Sequence, residues 1–136
     1  AGVAGRVFCL PPVPGGRVIP EAASADAGIW TLADLCLNFR FSLPNKVFEY
    51  LAAGLPVLTA DYPEVRPIVE GHEVGLCFDP DSPTSIAAAI ERMRTDAALR
   101  ARCRANIPGC LARHDGDAEW AKLVEVYRGL EAAHGT

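Results

Sequence analysis

Residues 42–58 (SLPNKVFEYLAAGLPVL) constrain the fold more than any other stretch, because they encode a helix, its end and a buried strand without interruption. Ser42 can cap a helix, and Pro44 suits the first helical position, where its missing N–H costs nothing. Gly54 can adopt the left-handed conformation that ends a helix. Residues 55–60 (LPVLTA) then predict a buried strand.

The start of the predicted helix is a candidate anion site. Backbone N–H groups around Leu43, Asn45 and Lys46 have no partners within the helix, and the helix dipole favours negative charge there. Lys46 adds a point charge suited to phosphate. Glu49 follows Asn45 by one turn on the same helix face, where a carboxylate can accept hydrogen bonds from ribose hydroxyls.

A simpler interpretation of the same residues remains open. The segment also fits an ordinary amphipathic helix, with Lys46 and Glu49 as an exposed ion pair. Phe48, Leu51 and Ala52 would then face the core. Helix geometry alone does not separate a binding site from a solvated surface.

Two further landmarks follow in order, DYPE at residues 61–64 and GLCFDP at residues 75–80. With residues 44–58, this series resembles the C-terminal nucleotide-sugar-binding domain of retaining, two-Rossmann-domain (GT-B type) group 1, family 4 glycosyltransferases. The resemblance covers residues 6–127. It implies an α/β fold with a Rossmann-like, mostly parallel sheet and helices on both faces. Residues 1–136 would form a partial donor-binding domain, an incomplete C-terminal half whose acceptor-binding N-terminal domain is absent.

The resemblance also implies a function. It indicates a hexosyltransferase that moves a sugar, with retention of configuration, from a nucleotide diphosphate sugar to a glycan, lipid or other acceptor, as in bacterial polysaccharide biosynthesis. The helix start would hold the diphosphate and Glu49 the ribose, which makes the expected donor site Ser42, Leu43, Asn45, Lys46 and Glu49. No catalytic residue is identified. Apart from the substrate, no cofactor and no metal ion are expected.

The sequence departs from the family pattern at Phe41. Many members have a glutamate eight positions before the residue that matches Glu49, and its absence argues against a two-glutamate site. The sequence NFRF at residues 38–41 instead resembles a subset of the family in which an Asn-aromatic-x-aromatic segment comes before the Leu-Pro-Asn-Lys motif. Asn38 would contact donor or acceptor in such a member, although a turn-stabilising role is an equal alternative.

Two other functions fit the same architecture. A non-catalytic scaffold subunit could keep the Rossmann-like core and complete its sheet with a partner chain. A sugar-nucleotide epimerase is the enzymatic alternative. Lys46 and Glu49, in register with the Gly54 turn, favour the transferase because a scaffold does not need them.

Composition and charge limit the partners and the compartment. A chain of 136 residues, half of them hydrophobic and 22% charged, indicates one globular domain. The formal charge of −4 gives no reason to expect nucleic-acid binding. The five cysteines have no paired metal-ligand spacing and the three histidines are isolated, so the sequence predicts no metal site. Unpaired cysteines and the lack of a membrane-spanning run predict a reducing, cytoplasmic setting. Peripheral contact with the inner membrane face would come through the missing domain.

The remaining elements are predicted from local patterns. The apolar residues 6–10 predict a buried strand, and residues 18–25 a short helix. The alternating residues 31–41 predict a short strand or an extended loop. Residues 82–85 begin a long helix, Pro108 ends the helical stretch that follows it, and the apolar positions of the last helix predict packing. Because residues 6–10 lack flanking strands, we expect self-association, unless a long helix at residues 84–104 covers this edge and leaves a monomer. Because the acceptor-binding domain is absent, we expect the isolated chain to have no transferase activity.

Overall fold

A computed structural model describes residues 5–134. Three strands alternate with seven α-helices and one short 3₁₀ helix at Gly15–Arg17. In chain order the elements are α1 (Val18–Ala22), β1 (Gly28–Trp30), α2 (Leu37–Arg40), α3 (Asn45–Ala52), β2 (Val57–Ala60), α4 (Arg66–Val69), β3 (Gly75–Phe78), α5 (Pro83–Thr95), α6 (Ala97–Arg113) and α7 (Gly116–His134).

The three strands form one parallel sheet in the order β1-β2-β3. Leu58 at the centre of β2 pairs with Ile29 on one side and Leu76 on the other. All four residues of β2 are buried. Gly75 begins β3 so close to β2 that an added Cβ would lie 1.8 Å from the Val57 carbonyl oxygen. This order confirms the predicted α/β, Rossmann-like class.

The helix, turn and strand predicted around Gly54 are present, with one correction at the cap. Gly54 has a φ of +75°, so it takes the left-handed turn that ends α3. Pro44 is the cap residue of α3, and no side chain caps the helix. Ser42 instead donates its hydroxyl hydrogen bond backward to the Phe39 carbonyl at 2.8 Å. Within α3, Val47 and Leu51 are buried against the sheet.

The hydrophobic core lies between the sheet and the helices α3 to α6. Residues from every one of these elements join a single buried cluster, which includes Val47, Leu51, Val57, Val65, Val69, Val74, Phe78, Met93, Leu99, Cys103 and Ile107. The long helix predicted to begin at residues 82–85 is α5, and Ser82 caps it by accepting from the Ser85 N–H.

The predicted strand at residues 6–10 is wrong. These residues form no regular element, and Val7, Phe8 and Leu10 are 62%, 74% and 83% exposed. Cys9, within the same run, is exposed as well. An apolar run forms a strand only when a neighbouring strand accepts its backbone hydrogen bonds, and β1 pairs with β2 alone.

The predicted break at Pro108 is also wrong, because α6 continues through it to Arg113. Proline removes one hydrogen bond and crowds the preceding turn of a helix. The ring of Pro108 is on the exposed side of α6, where water can solvate the freed carbonyl. On the opposite side, Leu99, Cys103, Ile107 and Cys110 are buried. Burial of that face outweighs the local cost of the proline.

The last helix does not pack as predicted. α7 spans 19 residues, and the part of the chain described here buries none of them. Trp120 is 67% exposed, and Leu123, Tyr127 and Leu130 share its face and are exposed too. Among the helices of residues 5–134, none has the length and apolar character needed to cross a membrane.

We predict that Pro108→Ala stabilises the protein, because it restores a helical hydrogen bond on an exposed face. The gain in the free energy of unfolding should be up to about 3 kcal/mol, measured by urea denaturation. Pro83→Ala is the matched control, since Pro83 occupies the first turn of α5, where proline is compatible with a helix. Equal effects of the two substitutions would contradict the interpretation of Pro108.

We also predict that the chain self-associates, now because of the exposed apolar face of α7 rather than an unpaired strand. Light scattering should give at least a dimer mass, and the double substitution Trp120→Lys with Tyr127→Lys should shift it toward a monomer. Ala132→Lys, on the opposite side of α7, is the control. A monomer across a wide concentration range would rule the assembly out.

Candidate functional site

The carboxyl ends of the parallel strands define the edge where ligands bind in open α/β sheets. β1, β2 and β3 end at Trp30, Ala60 and Phe78, and the loops that follow them meet at this edge. α3 returns the chain from the end of β1 to the start of β2, so its first turn lies at the same edge. The topology therefore places the predicted anion site where this fold class binds its ligands.

The first turn of α3 has free backbone donors. The N–H groups of Leu43, Asn45 and Lys46 have no hydrogen-bond partner among residues 5–134. The next N–H, that of Val47, is already bonded to the Pro44 carbonyl at 3.2 Å. Asn45 and Lys46 are exposed. Free N–H groups at the positive end of a helix are suited to an anion.

Lys46 and Glu49 bind each other in this structure. The Lys46 Nζ lies 2.6 Å from Oε2 of Glu49, one turn further along α3. The lysine side chain is half exposed and the glutamate is partly buried. The hydrogen bond to Glu49 raises the pKa of Lys46, so its ammonium group is charged at neutral pH. The pair matches both predicted interpretations, a binding site and a surface ion pair.

Two other predicted residues, Ser42 and Asn38, precede the first turn of α3 in the chain. Ser42 is partly buried, and its hydroxyl group is bonded to the Phe39 carbonyl. Asn38 is exposed on α2, the one-turn helix that forms where a strand or loop was predicted, and its amide has no partner in the described chain. Phe41 is 55% exposed. The roles of Ser42 and Asn38 stay predictions.

A crevice at the same edge was not predicted from the sequence. It encloses about 480 Å³ and is lined by Asp34, Arg40, Asp61, Tyr62, Pro63, Asp79, Pro80 and Asp81. The residues come from the segments that follow each of the three strands, including Arg40 at the end of α2. Four of them are carboxylates, so the crevice is acidic, unlike the first turn of α3. Loops distant in sequence build it, which is why no local motif revealed it.

The walls of the crevice are held by ion pairs and one buried tyrosine. Nε of Arg40 donates to Asp34 at 2.9 Å, and Arg66 binds both Asp61 and Glu70. The buried Tyr62 donates its hydroxyl hydrogen bond to the Leu32 carbonyl at 2.5 Å. Burial, followed by the charges of Asp34 and Asp81, raises the pKa of Tyr62 and keeps it a donor.

A second cavity, of about 360 Å³, is mainly apolar. Ala27, Ile29, Leu58, Ile90 and Met93 line it, with Asp26, Arg94 and Arg100 at its rim. It lies on the flank of the sheet beside α5, near the start of β1 rather than at the ends of the strands. It therefore lacks the position and the polar groups of the site at the strand ends.

The histidines predicted to be isolated are not all isolated. His72 precedes β3, whereas His114 directly follows α6, yet their Nε2 atoms lie 3.3 Å apart. The Cys110 thiol completes a group whose ligand atoms all lie within 4.8 Å of one another. The sequence signal was Cys110 and His114 at a spacing of four, which the predicted helix break at Pro108 concealed.

Comparison with known proteins agrees with this arrangement at the level of the family. The family model described as "Glycosyl transferases group 1" matches residues 41–109, just over half of the chain. The match begins at Phe41 and includes α3, β2, β3 and α5. No curated protein and no solved structure matches the chain. The chain belongs to the group 1 glycosyltransferase family.

Proposed function

We propose that this chain is the donor-binding part of a retaining, GT-B type hexosyltransferase that uses a nucleotide diphosphate sugar. The observation that carries the proposal is the first turn of α3, where free N–H groups and Lys46 lie at the ligand-binding edge of the sheet. This turn lies inside the region that matches the family. A complete enzyme would add an acceptor-binding domain, and polysaccharide biosynthesis is the expected setting.

The first turn of α3 would hold the diphosphate. During transfer the bond between the sugar and the diphosphate breaks, and negative charge builds up on the leaving phosphate. The N–H groups of Leu43, Asn45 and Lys46 are fixed dipoles that would stabilise this charge, and the Lys46 ammonium adds a full charge. Because the donors are already oriented, little reorganisation would accompany the reaction.

Glu49 would bind the ribose hydroxyls once the ligand enters. The ion pair with Lys46 has to open or rearrange for this. Exposed ion pairs contribute about 0.3–0.5 kcal/mol, so competition from the pair is small against the charge-assisted bonds of a bound nucleotide. The pair would hold Glu49 in place until the ligand arrives.

The acidic crevice would receive the sugar. Its volume of about 480 Å³ is within the usual range for small-molecule sites. Carboxylates such as Asp79 and Asp81 accept hydrogen bonds from hydroxyl groups but repel phosphate. Separate regions for phosphate and sugar at one edge would fix the orientation of the donor.

The five cysteines are unpaired in the structure, which supports a reducing, cytoplasmic location for the proposed enzyme. Contact with the inner face of a membrane, if the complete enzyme acts there, would come through the acceptor domain.

We predict that Glu49→Gln weakens binding of a nucleoside diphosphate without unfolding the chain. Loss of a charged hydrogen bond should cost about 1.5–3 kcal/mol, which raises Kd about 10- to 150-fold. Calorimetric titration with UDP, GDP and ADP would measure this change. Glu119→Gln is the matched control, because Glu119 also pairs with a lysine three residues away, at 2.5 Å on α7.

Two outcomes would contradict the donor site. If Glu49→Gln and Glu119→Gln leave the same Kd, Glu49 does not contact the ligand. If the unaltered chain binds none of the three nucleotides, the scaffold function is favoured instead.

A further prediction concerns turnover. The chain alone should bind the donor without transferring the sugar, because retaining transfer in this architecture takes place between two domains. Incubation with a sugar nucleotide and a range of acceptors, followed by mass spectrometry, should detect no glycosylated product. Turnover by the purified 136-residue chain would show that it contains the acceptor site.

A further inference from the structure

The cluster of His72, Cys110 and His114 shares no residue with the proposed donor site, although the His114 ring lies 6.1 Å from the ring of Phe48 on α3. Cys110 is in the last turn of α6, and His114 is the cap residue that directly follows the end of the helix at Arg113. His72 reaches the same point from the loop between α4 and β3. Two imidazole nitrogens and one sulfur therefore converge from two separate parts of the chain.

The spacing of the two nitrogens fits a tetrahedral metal ion. Zinc–nitrogen bonds of about 2.0–2.1 Å put two ligands of a tetrahedral site about 3.3–3.4 Å apart. The Nε2 atoms of His72 and His114 lie 3.3 Å apart. The same geometry needs sulfur about 3.5–3.6 Å from each nitrogen. Since the three atoms already lie within 4.8 Å, the thiol has little more than 1 Å to move.

A hydrogen bond and an ion pair connect the loop that contains His72 to α6. The Asn106 side chain donates to the Glu73 carbonyl at 3.3 Å, and Arg102 lies 3.7 Å from the Glu73 carboxylate. Glu73 has a φ of +51°, an unusual conformation for a residue with a side chain. Strained positions of this kind concentrate at functional sites. These contacts position His72 before any ligand binds.

The local electric field also suits a cation at this position. A bound zinc ion would replace the proton of the Cys110 thiol, which would be released to solvent. The negative end of the α6 dipole lies at this position. Arg113, exposed beside it, opposes a cation but is well solvated.

We propose that His72, Cys110 and His114 bind one zinc ion through two imidazole nitrogens and one thiolate. The fourth ligand would be water, since a cavity of about 370 Å³, lined by His72, Gly109 and Cys110 among others, opens next to the cluster. Zinc accepts this mixed set of nitrogen and sulfur ligands in tetrahedral geometry. The ion would tie the end of α6 to the loop before β3.

A direct hydrogen bond between the two imidazoles is the competing explanation. It needs one ring to donate from Nε2 and the other to accept, and 3.3 Å is long for such a bond. It also does not involve the thiol of Cys110, which is 1% exposed and packs in the hydrophobic core. Zinc binding depends on that thiol, whereas the hydrogen bond does not.

The test uses the full chain, reduced and freed of metal with a chelator. Zinc should bind at one ion per chain and raise the thermal midpoint by roughly 10 °C at a free concentration about a hundredfold above Kd. Cobalt(II) in place of zinc should give the absorption bands of tetrahedral coordination with a thiolate ligand. Neither readout depends on nucleotide binding or transferase activity.

Cys110→Ser should abolish the thiolate band and lower zinc affinity at least tenfold, and His72→Asn should lower the affinity similarly. Cys103→Ser, which alters another buried thiol of α6, and His134→Asn on α7 are the controls and should bind like the unaltered chain. Each variant is compared with its own metal-free melting curve, so a loss of stability is measured separately. Zinc binding that survives both Cys110→Ser and His72→Asn, or no binding by the unaltered chain, would overturn the proposal.

Discussion

The pairing of β2 with a neighbour on each side is the interaction on which the rest of the structure depends. β2 is the central strand, and all four of its residues are buried. α3 lies in the connection that leads into β2, and α4 lies in the connection that follows it. Both helices have to pack against the sheet because they bury β2. Residues 5–134 form three strands, so few residues outside β2 and its two neighbours can fix the geometry of the sheet. The position of the proposed donor site therefore depends on the same short segment that forms the core.

The sequence predicted this segment well because its signals are local. Gly54 ends α3 in the conformation that its lack of a side chain permits, and Ser82 caps α5. Predictions from local signals were wrong where contacts with residues distant in the sequence determine the structure. The apolar residues around Phe8 found no neighbouring strand, and the tertiary packing of α6 overrode the break at Pro108.

The candidate site shows the same division. The first turn of α3 was identified from helix chemistry, since free N–H groups follow from position alone. The acidic crevice was not predicted because Asp34, Asp61 and Asp79 come together only when the three strands lie side by side. The proximity of His72 and His114 was not predicted for a related reason, because 41 residues separate them along the chain. Sequence spacing cannot reveal a site whose parts meet through the fold.

Because α7 is exposed, it should unfold locally more easily than the sheet. Its 19 residues bury no side chain, so little beyond its own hydrogen bonds holds the helix in place when the chain is alone. Its amide protons would exchange with solvent through local fraying at a small free energy, whereas those of β2 would exchange only on complete unfolding. The C-terminal helix thus behaves as a separate unfolding unit, and a protease could trim it while the sheet stays folded.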